Sequence, residues 1–345
     1  MKKEATTWPD LDAQKKNRLL CRFFFLPINY HMHVKENLIL TIMGPTGVGK
    51  TDLAIELYAK LPIRIISVDS VQIYKFLNIG SGKPSKKVLK DFPHDLIDWI
   101  EPTENYSTAR FQDDVVRSIK ESFESNLTPV LVGGTMMYFH HLINGISNLP
   151  NVPKKIREDV EEEFSEKGSN AMHEHLREID EKSSLKIHSN DSQRIKRAIE
   201  VYKATGKKFS EWLAEQKVEV NPIITDSNLI QIAIKPEDKQ LHRESVAKRF
   251  NKMIDDGLVS EVENILNMEG MSSNSQSMKS VGYRQVCEFL EGGYNFDDMI
   301  DKAINSTRQL AKRQMTWISG WSDLVLLEKN RTLPKSVEDL ILNNS

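Results

Sequence analysis

Gly44-Pro45-Thr46-Gly47-Val48-Gly49-Lys50-Thr51 satisfies the spacing G-x-x-x-x-G-K-[ST] at every defined position. A loop of this kind turns successive backbone N–H groups inward at a helix N-terminus, so that they cradle an anion. Lys50 adds a point charge to the cradle, and Thr51 offers a hydroxyl to Mg²⁺. The stretch therefore predicts a bound di- or triphosphate without saying which one. A second apolar run ends in Val68-Asp69-Ser70-Val71-Gln72-Ile73-Tyr74. A carboxylate at a strand end beside a phosphate loop can hold Mg²⁺ through water or take a proton from a nucleophile. It can equally serve as a helix cap or turn residue. The third such run closes on Val132-Gly133-Gly134-Thr135, with no acid after it. Nucleotide hydrolases usually keep a metal-binding Asp there, so the pattern argues against ATP hydrolysis and leaves Asp69 as the main acid.

Basic residues recur in three separate places. Asp191 is an expected N-cap for a helix on which Gln193, Arg194 and Arg197 neighbour one another, while Ile195, Ile199 and Tyr202 follow the spacing of a buried stripe. In the segment 307–317, Arg308 and Lys312 are i, i+4 neighbours, as are Gln309 and Arg313, and Leu310 and Trp317 are expected to turn toward the core. Lys279-Ser280-Val281-Gly282-Tyr283-Arg284 is a Gly-hinged loop carrying two cations and a tyrosine able to stack. Each alone reads as a solvated charged face. Together they suit a phosphate backbone and unpaired bases. His94, His140 and His141 lack paired metal-ligand spacing and read as surface or core residues, and Met136 and Met137 as packing residues.

The elements that must position these residues follow from apolar patterning. Leu38–Met43, Ile63–Val68 and Pro129–Val132 are nearly continuous apolar runs, as in a parallel sheet covered on both faces. Helical segments lie between them, including Lys50–Lys60 and Thr108–Ser125 with Ser107 as cap. The alternation predicts a P-loop NTPase-like α/β fold, a parallel sheet with helices on both faces and its ligand at the carboxyl ends of the strands. After Gly145 the composition turns charged and helical, and Gly206 is an expected C-cap. Residues 148–212 read as a helical insertion domain, and 38–147 with 213–328 as the core. A further strand is expected at Asn228–Ile234, and helices at Asp238–Asp256, Val259–Leu266, Tyr283–Glu291 and Phe296–Ser319. A short strand at Asp323–Leu327 and a frayed tail over 329–345 complete the reading.

The 345 residues carry 39% hydrophobic and 28% charged residues and a net charge of −2, an ordinary globular balance without a global nucleic-acid signature. Cys21 and Cys287 have neither zinc nor disulfide spacing, which fits a reducing compartment. No apolar run has the length of a membrane span. Residues 1–37 read as a dispensable extension, with Met32 just before the first strand.

From Leu38 to Trp321 the chain resembles the tRNA dimethylallyltransferases, also called isopentenyl-tRNA transferases. The resemblance rests on the phosphate loop together with VDSVQIY (68–74), NIGSGKP (78–84), HDLID (94–98), VGGTMMY (132–138), NDSQRIKRAIEV (190–201), SVGYRQ (280–285) and TRQLAKRQMTW (307–317). It implies that residues 44–51 hold the diphosphate of dimethylallyl diphosphate rather than ATP, with Mg²⁺ on Thr51 and, through water, Asp69. It implies that the acceptor is N6 of the tRNA adenosine at position 37, 3′ of the anticodon, reached in a channel. Asp69 is then the general base, with Lys50 and Arg249 on the diphosphate. Asp69, Ser70, Val71, Gln72, Thr135, Arg157, Gln193, Arg194, Ile195, Lys196, Arg197, Lys279, Ser280, Val281, Gly282, Tyr283 and Arg284 fall at positions expected to contact tRNA. Lys239, Ser245, Lys279 and Ser319 depart from residues frequent in the family. The sequence lacks a C-terminal zinc finger, so the resemblance is to the bacterial type, expected as a cytoplasmic monomer. Two other readings fit the loop alone: an ATP-dependent small-molecule kinase, and a non-catalytic RNA-binding protein.

Overall fold

The computed structural model describes residues 37–146, 149–215, 219–330 and 333–343. The expected N-terminal extension lies, apart from Asn37, outside the described residues. Six strands form one sheet in the order β3-β2-β4-β1-β5-β6, and all five pairings are parallel. They are β1 (Leu38–Met43), β2 (Ile63–Val68), β3 (His94–Asp95), β4 (Thr128–Gly133), β5 (Asn228–Lys235) and β6 (Val325–Glu328). Every residue of β1 and β4 is buried, as their unbroken apolar runs require. β3 has no apolar pattern to announce it; two edge residues are too few for a periodicity. β6 starts two residues later than expected, because Asp323 takes a left-handed turn (φ 55°) ahead of it.

Alternation along β1 divides the core in two. Leu38, Leu40 and Ile42 pack with Leu53, Ala54 and Leu57 of α1 (Lys50–Lys60). Ile39 and Met43 face the other layer. That layer contains Phe111, Val115 and Ile119 of α2 (Thr108–Glu124), Phe139 of α3 (Met136–Asn144), and the C-terminal helices. Each large apolar side chain so buried contributes about 2 kcal/mol. Ser107 caps α2 by accepting from the Arg110 amide.

A helical unit leaves the sheet after α3. It comprises α4 (Lys154–Ile179), α5 (Ser192–Thr205) and α6 (Phe209–Glu215), and has a small core of its own, with Val160, Met172, Leu176, Ile195 and Ile199. Asp191 and Gly206 cap α5 as expected. The buried Asp180 accepts hydrogen bonds from the amide and hydroxyl of both Ser183 and Ser210, which ties α6 to this unit. The chain then returns through β5 to α7 (Lys239–Asp255), α8 (Leu258–Leu266), α9 (Tyr283–Leu290) and α10 (Phe296–Ser319), all within about a residue of expectation.

The described part of the tail is helical rather than frayed. Leu333–Asn343 forms α11, whose Val337 and Ile341 are buried at i, i+4 spacing in the same cluster as Leu57 of α1. No helix among the described residues is long and apolar enough to cross a membrane.

Candidate active site

β2 and β4 lie on one side of β1, whereas β5 lies on the other, so the chain changes direction at β1 and opens a crevice at its carboxyl end. The phosphate loop leaves β1 at that point. Gly49 takes the left-handed conformation (φ 94°), and no side chain caps the helix that begins at Lys50. Its first-turn N–H groups are therefore left for an anion. Lys50 Nζ folds back onto the carbonyls of Gly44 (2.9 Å) and Pro45 (2.8 Å). Burial pushes its pKa down to about 8, opposed by the charge of Asp69 and reinforced by that of Arg249.

Asp69 follows β2. Its Oδ1 accepts from the amides of Val71 (2.9 Å) and Gln72 (3.1 Å), making it a turn residue that keeps Oδ2 for other work. Thr135, at the end of β4, accepts from the Ser70 amide at 3.1 Å and so joins the two strand ends. Arg249 comes from α7. Burial lowers its pKa against the pull of Asp69 and Asp52, which leaves an arginine charged. Its Nη2 lies 3.5 Å from the Gly82 carbonyl. A Cβ on Gly82 would stand 1.7 Å from that nitrogen, so only glycine permits this approach.

Asp69, Thr135 and Arg249, with Thr46 of the phosphate loop, line a cavity of about 310 Å³. Its polar lining residues include Thr46, Asp69, Thr135, Arg249, Arg313 and Gln314. Its apolar lining residues are Met136, Met137, Val246, Phe250, Met253, Leu310 and Trp317, among others. Ser70, Val71, Val281 and Gly282 also border it, and Gln72 reaches the carbonyls of Ser81 and Gly82. Met136 and Met137 thus form wall as well as packing.

Other expected contacts lie elsewhere. Both Nε and Nη2 of Arg157 are spent on the Val152 carbonyl. Lys196 pairs with Glu161 and covers the Phe164 ring; Arg197 bonds the Pro150 carbonyl; Arg194 pairs with Asp191 at 3.5 Å. With the exposed Gln193 they belong to the helical unit, outside the cavity lining. Lys279 and Arg284 are exposed, and they too lie outside the lining.

Three expectations are corrected. Ile195 is fully buried in the core of the helical unit, on the apolar stripe of α5, and cannot touch RNA. Tyr283 is fully buried too. Its hydroxyl donates to Glu261 (2.7 Å) and accepts from the Ser81 amide (3.2 Å), which makes it a pillar of the site rather than a stacking platform. Leu310 and Trp317 face the cavity rather than the core, because Ala303, Ala311, Gln314 and Ile318 form the buried face of α10.

Gln314 is the important residue that sequence reasoning missed. Its Oε1 accepts from the Thr46 amide at 2.9 Å and its Nε2 donates to the Gly134 carbonyl at 2.8 Å, fastening α10 to the phosphate loop and β4. One polar residue on an otherwise apolar stripe was the available signal. Glu261 was missed as well: it accepts from the amides of Asn78, Ile79 and Gly80.

The sequence profile described as IPP transferase matches residues 72–321, well over half of the chain. The chain belongs to the IPP transferase family. It is a prenyltransferase of the tRNA-modifying class. The full-length tRNA isopentenylpyrophosphate transferase of Bacillus halodurans is similar at 28% identity and a TM-score of 0.64, over 90% of this chain and 97% of that one. The tRNA delta(2)-isopentenylpyrophosphate transferase of Staphylococcus epidermidis is similar at 28% identity and a TM-score of 0.64, over 90% and 100%. A eukaryotic dimethylallyltransferase acting on tRNA shares the fold, with 24% identity and a TM-score of 0.69 over 90% of this chain and 80% of that one.

Proposed function

We propose that the protein transfers a dimethylallyl group from dimethylallyl diphosphate to N6 of the adenosine at position 37 of tRNA, giving N6-dimethylallyladenosine and diphosphate. The observation that carries this reading is that one cavity is lined by Asp69, Arg249 and Thr46 of the Lys50 loop and also by methionines, Phe250 and Trp317. An exocyclic adenine amine is a weak nucleophile, because its lone pair is delocalised into the ring. Transfer therefore needs alignment, a good leaving group and a base. The N6–C bond forms as the allylic C–O bond breaks. The bonding pair leaves on the diphosphate, and the N6 proton passes to Asp69 Oδ2. The loop amides, Lys50 and Arg249 stabilise the charge that grows on the leaving group. The apolar wall holds the prenyl chain and excludes water from the developing allylic cation.

The Thr51 hydroxyl is a hard oxygen donor suited to Mg²⁺, which would keep waters, one of them reaching Asp69, and take its other ligands from phosphate oxygens. No cluster of three or more His, Cys, Asp or Glu side chains among the described residues offers a metal site without such help. Bound there, Mg²⁺ would neutralise diphosphate charge. Gln193, Arg194 and Arg197 on α5, with the exposed Lys279 and Arg284 that flank the cavity-lining Val281 and Gly282 in the chain, grip the anticodon arm in a cytoplasmic, monomeric enzyme.

Incubation with unmodified tRNA, dimethylallyl diphosphate and Mg²⁺, followed by mass analysis of the nucleosides, tests the reading. The expected result is the mass of one dimethylallyl unit added to adenosine. Unchanged adenosine, or turnover of ATP instead, overturns it.

A further inference from the structure

Arg249 is a long side chain that must meet the leaving group in one place, and the loop after β2 decides where. Four consecutive amides of that loop point one way. Those of Asn78 (3.0 Å), Ile79 (2.9 Å) and Gly80 (3.2 Å) donate to the Glu261 carboxylate, and that of Ser81 donates to the Tyr283 hydroxyl at 3.2 Å. Tyr283 in turn donates to Glu261 Oε1 at 2.7 Å, which closes the arrangement. A run of inward-facing amides is a nest that ordinarily takes an anion. Here the anion is a side chain of the protein's own, from the first turn of α8.

Peptide geometry gives this capture a consequence on the opposite side. The amides of Ile79 and Gly80 share peptide planes with the carbonyls of Asn78 and Ile79, which turn away from Glu261 and accept from the amides of Lys83 (3.1 Å) and Gly82 (2.9 Å). The carbonyls opposite those two amides, of Gly82 and Ser81, are thereby aimed in turn at the side of Gln72 and Arg249. There they meet Gln72 Nε2 (3.4 and 3.5 Å), and the Gly82 carbonyl meets Arg249 Nη2 at 3.5 Å. Gly80 and Ser81 are themselves cavity wall. The ring of Tyr283 lies so close beneath the loop that a Cβ on Gly80 would stand 2.7 Å from it. The loop can therefore neither sink nor rotate while Glu261 and Tyr283 hold it.

We propose that Glu261, with Tyr283, is a positioning residue for the transfer: by holding the amides of residues 78–81 it sets the Gly82 carbonyl that aims Arg249 at the donor diphosphate. The inference rests on the reading of this cavity as a prenyl diphosphate site. It predicts that Glu261→Gln, which keeps an oxygen acceptor but loses the charge and one acceptor site, weakens the diphosphate end of the site selectively. Tyr283→Phe removes only a hydroxyl and should act in the same direction to a smaller extent.

The test is calorimetric titration of inorganic diphosphate with Mg²⁺ into wild type, Glu261→Gln, Tyr283→Phe, Arg249→Ala and the Glu261→Gln/Arg249→Ala double variant, with tRNA affinity measured in parallel. Glu261→Gln should bind diphosphate about tenfold more weakly, the size of one misplaced charge-assisted hydrogen bond. tRNA affinity should stay within about twofold. In the Arg249→Ala background the same substitution should cost nothing further, because a residue that acts through Arg249 has nothing left to aim. Additive losses in the double variant overturn the proposal, as does equal weakening of diphosphate and tRNA. If Glu261→Gln does not fold, Tyr283→Phe carries the same cycle, and additivity there has the same force. Failure of the wild type to bind diphosphate at all would refute the underlying function instead, and the inference with it.

Discussion

Lys50 is the strongest electrostatic strain in the ligand-free site, and Lys50→Met exposes it. The ammonium is enclosed by its own loop and bonded to two carbonyls, and its pKa falls from 10.5 to about 8. At 1.36 kcal/mol per unit, holding that charge costs the folded state about 3 kcal/mol below pH 8, an upper figure because the residue as a whole is only half-buried. The sign follows from proton counts. Between the two pKa values the unfolded chain binds the Lys50 proton and the folded one does not, so stability rises with pH across that window. Urea unfolding of ligand-free wild type and Lys50→Met from pH 7 to 10 isolates the effect, since the other titrating groups cancel in the difference. Wild type should gain roughly 2–3 kcal/mol on the variant over that range. Saturating diphosphate should abolish the gain, because an anion in the cradle holds the proton on. Superimposable pH profiles, or a wild type that loses ground as pH rises, would refute the reasoning.

Asp69→Asn keeps an acceptor for the Val71 and Gln72 amides but removes the base, so single-turnover transfer should slow by about 10²–10⁴ with tRNA affinity preserved; equal losses in both would remove the assignment. In Gly82→Ala the new methyl meets the flexible end of Arg249 at 1.7 Å in a backbone with φ +61°, so the fold should survive at a cost of about 1 kcal/mol. The KM for the donor should rise about tenfold or more in that variant, and an unchanged KM would show that Arg249 does not touch the donor. Trp317 borders the cavity and is 41% exposed, so Trp317→Ala should enlarge the apolar wall with little loss of stability. Competition between dimethylallyl and geranyl diphosphate should then shift toward the longer donor; a fixed ratio would place the end of the prenyl chain elsewhere.

The sequence by itself determined the parts that local rules govern. Nearly continuous apolar runs specify buried parallel strands, because each residue must satisfy one of two covered faces. The glycines and lysine of 44–51 specify an anion cradle, because their chemistry is carried by the backbone of one short stretch. Asp69 was legible for the same reason, standing at a strand end. What tertiary structure decided was direction and partnership across long separations. Tyr283 looks like a stacking residue until Glu261 and the Ser81 amide, far away along the chain, take its hydroxyl. Trp317 looks like core until Gln314, three residues earlier, occupies the buried face of α10 to reach Thr46 and Gly134. Val337 and Ile341 look like the last turn of a loose tail until α1 offers them an apolar surface. A side chain's type limits the bonds it can make. Which bond it makes depends on what the fold brings within about 3 Å of it, and no spacing along one segment encodes that distance.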